Sequence, residues 1–476
     1  MAPIFANQSC DPFQPRDRPC TLGNYVRYTV DARSSEDIIA ALKFAEEKNV
    51  RFVVRNTGHD YLGRSTGAGA LAVWTLHLKS IEVLDWKDPH YHGKALKVGA
   101  GVQGYEALTA AHAAGLTVVT GECPSVGLAG GYIQGGGHSA LSTNFGLAAD
   151  NTLEFEVVTA EGKLMKASRQ HNSHLYWALS GGGGGNFGVV VSATVQAHPE
   201  AHVSGAKFLV TPPDEKPELI YAIIDAFHAA LPNIVDSGIM IVYFFSKSFL
   251  QIPFMTAYSK TEAETRKIFK PLTDSLATLG VTFEPSITEF ASYYDHYVHY
   301  LGPFPAGNIP VGTQLFGGRL IPRSKIRDFS PTARKLVDMG TISIGVGLNV
   351  SKFGGQHVNS VLPQWRDSIV QLSPTLSWDF EAPWKNMLAT QQRITDEIQP
   401  VLEAALPGAG AYMSEADFQQ PDWQETFFGV NYEKLLKIKK KYDPHGLLYA
   451  TAAVGSDEWT VANDGRMCRV KPRGDL

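Results

Sequence analysis

The chain has no long run of charge of one sign: 42 Lys and Arg stand against 47 Asp and Glu, a formal net charge of −5. That balance removes the electrostatic basis for holding nucleic acid or an anionic membrane surface. Long apolar runs are missing too. The longest, "GIMIVYFF" from Gly238 to Phe245, is too short to span a bilayer and reads as a buried strand. No internal repeat or low-complexity linker is visible, and no charged-then-apolar leader precedes "MAPIFANQSC", so a leader is either missing from this stretch or never existed. Cysteine is scarce. The four present, Cys10, Cys20, Cys123 and Cys468, form no Cys-x-x-Cys pair, and His59 and Cys123 lack the companions that a zinc site needs.

Apolar residues, by contrast, are ample: 44% of 476 positions are hydrophobic, enough for a large core and two or three domains. Cys10 and Cys20 flank the short Pro-rich loop "CDPFQPRDRPC" and would close as a disulfide in an oxidising compartment. The sequons at Asn7 and Asn349 point the same way, to a secreted, extracellular glycoprotein. The alternative is a cytosolic protein with four reduced thiols, and the state of Cys468 is open on either reading.

From Ser34, "SSEDIIAALKFAEEKN" combines a capping arrangement with apolar Ile38, Leu42 and Ala45 on one helical face, and "VRFVVR" follows as a strand. "LAVWTLHLKSIEVLD", "ALKVGAG" and the helix "GYEALTAAHAAG", closed by Gly115, continue an alternating α and β region. Glycine density peaks between Gly121 and Gly188, where backbone can approach a ligand closely. After about Pro199 longer helical patterns, "PELIYAIIDAFHAAL" and "TEAETRKIFKPLTDSLATLG", alternate with strands. In "TISIGVGLNV" the apolar residues Ile342, Ile344, Val346, Leu348 and Val350 recur with a period of two over ten residues. This predicts an antiparallel sheet with one face packed on helices and the other free to cover a site. The expected division is an N-terminal segment 1–24, a first domain 25–200, a second 201–420 and a return of 421–476 to the first.

The loop "RNTGHDYLGRST", Arg55 to Thr66, follows a strand and exposes several backbone N–H groups in one direction, which suits a pyrophosphate. It is not the GxGxxG of a dinucleotide fold, since neither its spacing nor a following helix is right. Gly58, Gly63, Ser65 and Thr66 would line such a cradle; the plainer reading is a tight connection with an exposed histidine. Cys123, in "TGECPSVGLAGGYIQGGGH", is by itself an incidental thiol unless its thiolate is stabilised nearby.

Taken in order, "RNTGHDYLGRST", "GECPSVGLAGGYIQGGGHSAL", "FGLAADN", "GGGGGNFGVVVS" and the C-terminal "FFGVNYEKLLKIKKKYDP" resemble the FAD-linked oxidases related to berberine bridge enzyme, of the vanillyl-alcohol oxidase superfamily. The resemblance implies an α+β, two-domain PCMH-type flavoprotein: an FAD-binding α+β domain plus a substrate domain whose antiparallel sheet is backed by helices. Members with both a histidine in the first loop and a cysteine in the second hold FAD by two covalent bonds, to the 8α-methyl and to C6. Carried over, these are His59 and Cys123. The cofactor-binding set implied around them is Arg55, Asn56, Thr57, Gly58, Asp60, Gly63, Ser65, Gly121, Gly127, Gly130, Gly131, Gly135, His138, Gly188, Val190 and Asn431, with no catalytic role for His138. A doubly tethered flavin need not be wrapped by protein, so the cleft can be open and the substrate bulky.

In such chemistry the flavin takes a hydride and the protein must take a proton. Many relatives use a tyrosine in a Tyr-x-Asn-Tyr strand, whereas the matching stretch here, "AYMSEADF", departs from that pattern and puts Glu415 at the second tyrosine's place. Glu415 is the expected base, its pKa raised against the flavin, with Tyr412 and Asp417 as substitutes and a solvated ion pair as the plain reading of Glu415. Tyr293, Tyr297 and Tyr300 in "ASYYDHYVHYLGPFP" would stack on a substrate or else pack a helix. The leading expectation is a secreted, monomeric oxidase acting on an alcohol or hemiacetal carbon of a carbohydrate, oligosaccharide or secondary metabolite, with O2 giving H2O2. The alternatives are oxidative cyclisation or dehydrogenation of a natural product, and a noncatalytic glycan-binding module on the same scaffold.

Overall fold

The structure is a computed structural model that describes residues 3–6, 9, 16–17, 21–281, 283, 285–309, 312–354, 358–462 and 465–470. Cys10, Cys20 and Asn7 lie outside the described residues, so the disulfide and the first sequon do too.

Two larger sheets, and a two-stranded pairing of Leu116–Thr117 with His198–Pro199, build the first half. Strands Tyr28–Asp31 and Phe52–Arg55 both pair in parallel with Leu71–Trp74, which lies between them. Helix Ser35–Glu47 makes the connection, started by a reciprocal bond between Ser34 and Asp37 that satisfies otherwise open N–H groups. Its Ile38, Ala41, Leu42 and Ala45 face a small core with Phe52 and Val73. The second sheet is antiparallel, in the order Ile81–Lys87, His92–Gly99, Val189–Gln196, Thr152–Val158, Leu164–Ser168. Helix Gly104–Ala113 packs beside it, ending before Gly115 at φ +71°.

The second half is one antiparallel sheet. Its order is Ser286–Phe290, Val203–Val210, Leu250–Tyr258, Ile239–Phe245, Ile342–Gly347 and Ser368–Ser377, and the last of these also pairs with Gln314–Phe316 and Arg319–Pro322. Alternation along Ile239–Phe245 separates two cores: Ile239, Ile241, Tyr243 and Phe245 face the helices Leu219–Asp236, Glu262–Thr278 and Ser330–Asp338, while Met240 and Val242 face the first half.

The strand "TISIGVGLNV" corrects an expectation. It is regular only over Ile342–Gly347, and its apolar set, Ile344, Val346, Leu348 and Val350, joins the core shared with the first half rather than the helices. The helix side has no room: a Cβ on Gly345 would lie 2.1 Å from Tyr243 Cζ, and one on Gly347 would lie 3.0 Å from Leu231 Cδ1. Small residues therefore face the helices, because the neighbouring strand's tyrosine fills that layer.

Helix Tyr432–Tyr442 and the residues after it pack on the first half. Leu448 pairs with Phe52, and Arg64 donates to the carbonyls of Thr451 (2.9 Å) and Ala452 (3.1 Å). Lys439, buried, donates to Asn186 O (2.8 Å) and Asp443 Oδ2 (2.6 Å). Asn349, the second sequon, is half-buried and its amide donates to Asp236 Oδ1 (2.9 Å), a bond that a glycan would displace. Cys468 is an exposed free thiol.

Candidate active site

The loop after Phe52–Arg55 is organised by its own acid. Asp60 accepts from the backbone of Arg64 (2.6 Å) and Ser65 (3.1 Å) and from the Ser65 hydroxyl, so it shapes the loop and is not a free base. The Asn56 side-chain amide donates to Thr75 Oγ1 (2.9 Å) and Ala100 O (2.6 Å), and its backbone carbonyl accepts from Trp74 Nε1 (2.9 Å). These bonds leave Thr57, Gly58, His59 and Asp60 on the wall of a cavity of about 300 Å3 that both halves of the chain line.

The second loop meets the first across Gly127, whose N–H donates to Thr57 Oγ1 (3.2 Å). Only glycine fits there, since a Cβ would lie 1.8 Å from Asn56 Oδ1. His59 Nε2 stands 3.0 Å from Ser125 Oγ, and Cys123, a free thiol, has its Sγ 3.6 Å from the same oxygen. Burial holds the His59 imidazole neutral, pushing its pKa down to about 4. The histidine and the cysteine singled out by sequence therefore share one neighbour.

At the same cavity wall, His138 lies between two carboxylates. Its Nδ1 is 3.2 Å from Glu122 Oε1 and its Nε2 is 3.1 Å from Glu415 Oε1. Burial alone would disfavour the imidazolium; Glu122 and Glu415 together outweigh it and hold His138 well above the ordinary histidine range. Both ring nitrogens then donate. The three groups form one coupled unit with a net charge of −1 while both acids are ionised. Of the two carboxylates Glu415 is the more open, its side chain 28% exposed against 13% for Glu122. The expected apolar setting for Glu415 is corrected here, since its partner is a buried cation. Tyr412 is buried edge-on to His138 at 5.4 Å, and Tyr61 stacks on Phe316 at 4.3 Å. Burial, with Glu415 beside them, raises the pKa of both hydroxyls, so each is a hydrogen-bond donor and not a base.

Asn56, Thr57, Gly58, His59, Asp60, Ser65, Gly121, Cys123, Gly127, Gly130, Gly131, His138, Gly188, Val190, Tyr412 and Glu415 all line the cavity. Arg55, Gly63, Gly135 and Asn431 do not. The Arg55 guanidinium packs over Gly58, Gly63 lies against Phe5, Gly135 against Ser414, and Asn431 donates to Ser360 O (3.2 Å) and Val361 O (3.3 Å). Asp417 is a correction. It is buried away from the cavity, accepting from Gln391 Nε2 (3.1 Å), Thr395 Oγ1 (2.6 Å) and Gln419 N (3.0 Å), a brace rather than a base. The tyrosine cluster is another. Tyr293, Tyr297 and Tyr300 are buried in the core, and Tyr297 donates to the carbonyls of Gly121 (2.8 Å) and Glu122 (3.1 Å), fixing the loop that carries Cys123. Sequence reasoning passed over Glu122, Ser125, Tyr61 and Phe316; the one signal available was that Glu122 and Ser125 flank Cys123 in a stretch otherwise poor in polar side chains.

Residues 26–168 match the family described as FAD binding domain, and residues 411–455 the family described as Berberine and berberine like. The chain is 51% identical to the FAD-linked oxidoreductase ZEB1 of Gibberella zeae over 469 residues, covering 98% of this chain and 83% of that one. The chain is an FAD-linked oxidoreductase of the vanillyl-alcohol oxidase type. This oxidoreductase also superposes on the crystal structure of the VAO-type flavoprotein MtVAO615 from Myceliophthora thermophila with a TM-score of 0.93 and 40% identity, covering 98% of this chain and 87% of that one. It is 37% identical to the bifunctional decalin synthase calF of Penicillium decumbens, covering 99% of this chain and 83% of that one. The cavity fits FAD on its own terms. Asn56 Oδ1 and Gln134 Oε1 on its wall are buried without a hydrogen-bond partner, and the glycines at 127, 130, 131 and 184 bring backbone to its surface.

Proposed function

We propose that this flavoprotein is an oxidase that removes a hydride and a proton from a hydroxyl-bearing carbon of a small metabolite, with FAD tethered by His59 and Cys123. When bound, FAD supplies the hydride acceptor and passes the electron pair to O2, giving H2O2. The chain supplies position and proton transfer. Glu415 takes the hydroxyl proton, and the His138 imidazolium, itself held by Glu122, keeps that carboxylate aimed into the cavity. Tyr412 and Tyr61, both protonated, donate hydrogen bonds to substrate oxygens. The observation that carries the reading is the Glu122–His138–Glu415 unit, set in the same cavity wall as His59 and Cys123.

Acid precipitation, digestion and mass analysis test the tethers: one flavin bridging the His59 and Cys123 peptides is expected, and flavin released into the supernatant refutes the covalent assignment. Mixing the reduced protein with oxygen tests the acceptor, with rapid reoxidation and stoichiometric peroxide expected. An extracellular monomer is part of the same reading. Intact mass before and after reduction and alkylation tests the Cys10–Cys20 bond, and light scattering tests the monomer.

A second reading, oxidative cyclisation or dehydrogenation of a natural product, is favoured by the rim. Tyr61, Phe316 and Ile309 present flat and apolar surface to the cavity, suited to a conjugated body more than to a sugar. Substrate profiling with matched alcohols of both kinds separates the two. The glycan-binding alternative has lost its aromatic platform to the core, and the chain belongs to a family of oxidoreductases.

A further inference from the structure

We propose that Ser125 is the positioning residue for both flavin tethers: its Oγ accepts the Nε2–H of His59, leaving the Nδ1 lone pair for the flavin, and its own O–H donates to Cys123 Sγ. The inference rests on the tethering proposed above and asks what makes two ordinary side chains ready for it.

The geometry is that of one hydroxyl between two nucleophiles, 3.0 Å from His59 Nε2 and 3.6 Å from Cys123 Sγ. A hydroxyl has one hydrogen. If it is spent on Nε2, the imidazole must carry its own hydrogen on Nδ1, and neither the nitrogen nor the sulfur is prepared. The opposite order satisfies both, because Nε2–H donates to Oγ and Oγ–H donates to sulfur. His59 Nδ1 then carries no hydrogen and keeps its lone pair, while the sulfur gains a hydrogen-bond donor. The neutrality of the half-buried His59 ring, with a pKa of about 4, keeps this arrangement populated at ordinary pH.

Ser125 is held by its backbone, independently of its hydroxyl. Its carbonyl accepts from Gln103 Nε2 (2.7 Å), and the neighbouring carbonyls of Pro124 and Val126 accept from Tyr105 N (3.0 Å) and Gly104 N (2.9 Å) at the start of helix Gly104–Ala113. Removing the oxygen therefore leaves the loop in place.

The bonds balance with O2 as the oxidant. His59 Nδ1 bonds to the flavin methyl carbon as that carbon gives up a proton; the ring takes up the electron pair with two protons, one from the methyl carbon and one from the imidazole. O2 removes both electrons and both protons as H2O2. Cys123 Sγ bonds to C6 in the same way, with the C6 hydrogen and the thiol proton leaving as a second H2O2.

The test is cell-free synthesis of the full chain with FAD added, quenched in acid over time and read as flavin fluorescence in the denatured full-length band. Ser125→Ala should incorporate covalent flavin roughly tenfold more slowly, the worth of one neutral hydrogen bond in a rate. Ser125→Thr, which keeps the hydroxyl, should restore the rate. NMR of the histidyl-flavin from wild-type digests should assign the bond to Nδ1. Ser125→Ala at the wild-type rate with both bonds complete, Ser125→Thr as slow as Ser125→Ala, or a bond through Nε2 each overturns the proposal while leaving the tethers standing. The wild-type nitrogen assignment and Ser125→Thr decide the matter even if Ser125→Ala fails to fold. Wild-type protein with no covalent flavin overturns the tethering reading and this inference with it.

Discussion

A proton acceptor is defined by what it can reach and by what holds it. Glu415 N–H donates to Tyr412 O (3.0 Å) in a tight turn, and a Cβ on Gly318 would lie 2.5 Å from Glu415 O, so the turn is clamped from behind. Glu415→Gln keeps the shape and the bond to His138 but cannot take a proton; flavin reduction measured by stopped flow should slow by about 10² to 10⁴ while the flavin spectrum stays intact. Asp417→Asn makes the opposite forecast. Its three donors brace the chain away from the cavity, so reduction should proceed near the wild-type rate while the melting temperature falls. An Asp417→Asn variant that is stable but catalytically dead would put the base at Asp417. The two acids stand two residues apart in "SEADF", and nothing in that spacing says which faces the cavity. The turn decides it. Glu122 was illegible for another reason: its meaning comes from Glu415, which meets the other side of His138 across 277 residues. His59 and Cys123 were singled out by the resemblance of their two glycine-rich loops to the family's pattern, and the structure brings both to one cavity wall beside Ser125.

Elements were readable where one face is wet and unreadable where both are buried. Helix Ser35–Glu47 announces itself through Ser34, Asp37 and a single apolar stripe. Strand Ile342–Gly347 shows the same period-two pattern whichever face meets the helices, and its orientation depends on Tyr243, a residue of the neighbouring strand. The tyrosines of helix Tyr293–Leu301 fail in the same manner, because an aromatic stripe at helical spacing looks alike in a core and at a cleft. Gly345→Ala tests the strand argument. The added methyl meets the Tyr243 ring, and the cost should be at least about 1–3 kcal/mol in urea unfolding with the FAD content unchanged. A neutral Gly345→Ala would mean that the helix-side layer has slack.

At the scale of the molecule, the two halves must stay in register for Glu415 and His138 to meet. Arg366 of the second half makes a two-pronged bond to Asp150 of the first (2.8 Å at each oxygen), and Asn359 donates to the same carboxylate (2.7 Å). Arg366→Met strips a buried carboxylate of its cation and should cost about 3–5 kcal/mol.

Acid should loosen the same body through its buried histidines. His228, between Phe227, Phe245 and Phe329 with Tyr243 OH at 3.2 Å, and His296, bonded to Met255 O (3.0 Å), are both pushed by burial down to about 4 from an ordinary 6.5. Each is neutral in the folded chain and takes a proton on unfolding below 6.5. The unfolded state then binds more protons, so stability rises with pH. Their contribution is whole above about pH 6.5 and is lost as pH falls toward 4, on the order of a few kcal/mol for each ring. His138 does not enter this window: its pKa is raised, so what it contributes is fully present below 6.5 and is lost only as pH rises through its folded value. Carboxylates titrate at the lower edge in any variant, and a difference experiment cancels them. Unfolding midpoints of wild type and His228→Gln, measured from pH 7.5 to 4.5, should converge as the pH falls, because the variant lacks one proton's worth of slope. Parallel curves would show that His228 is already charged, or hydrated, in the native core.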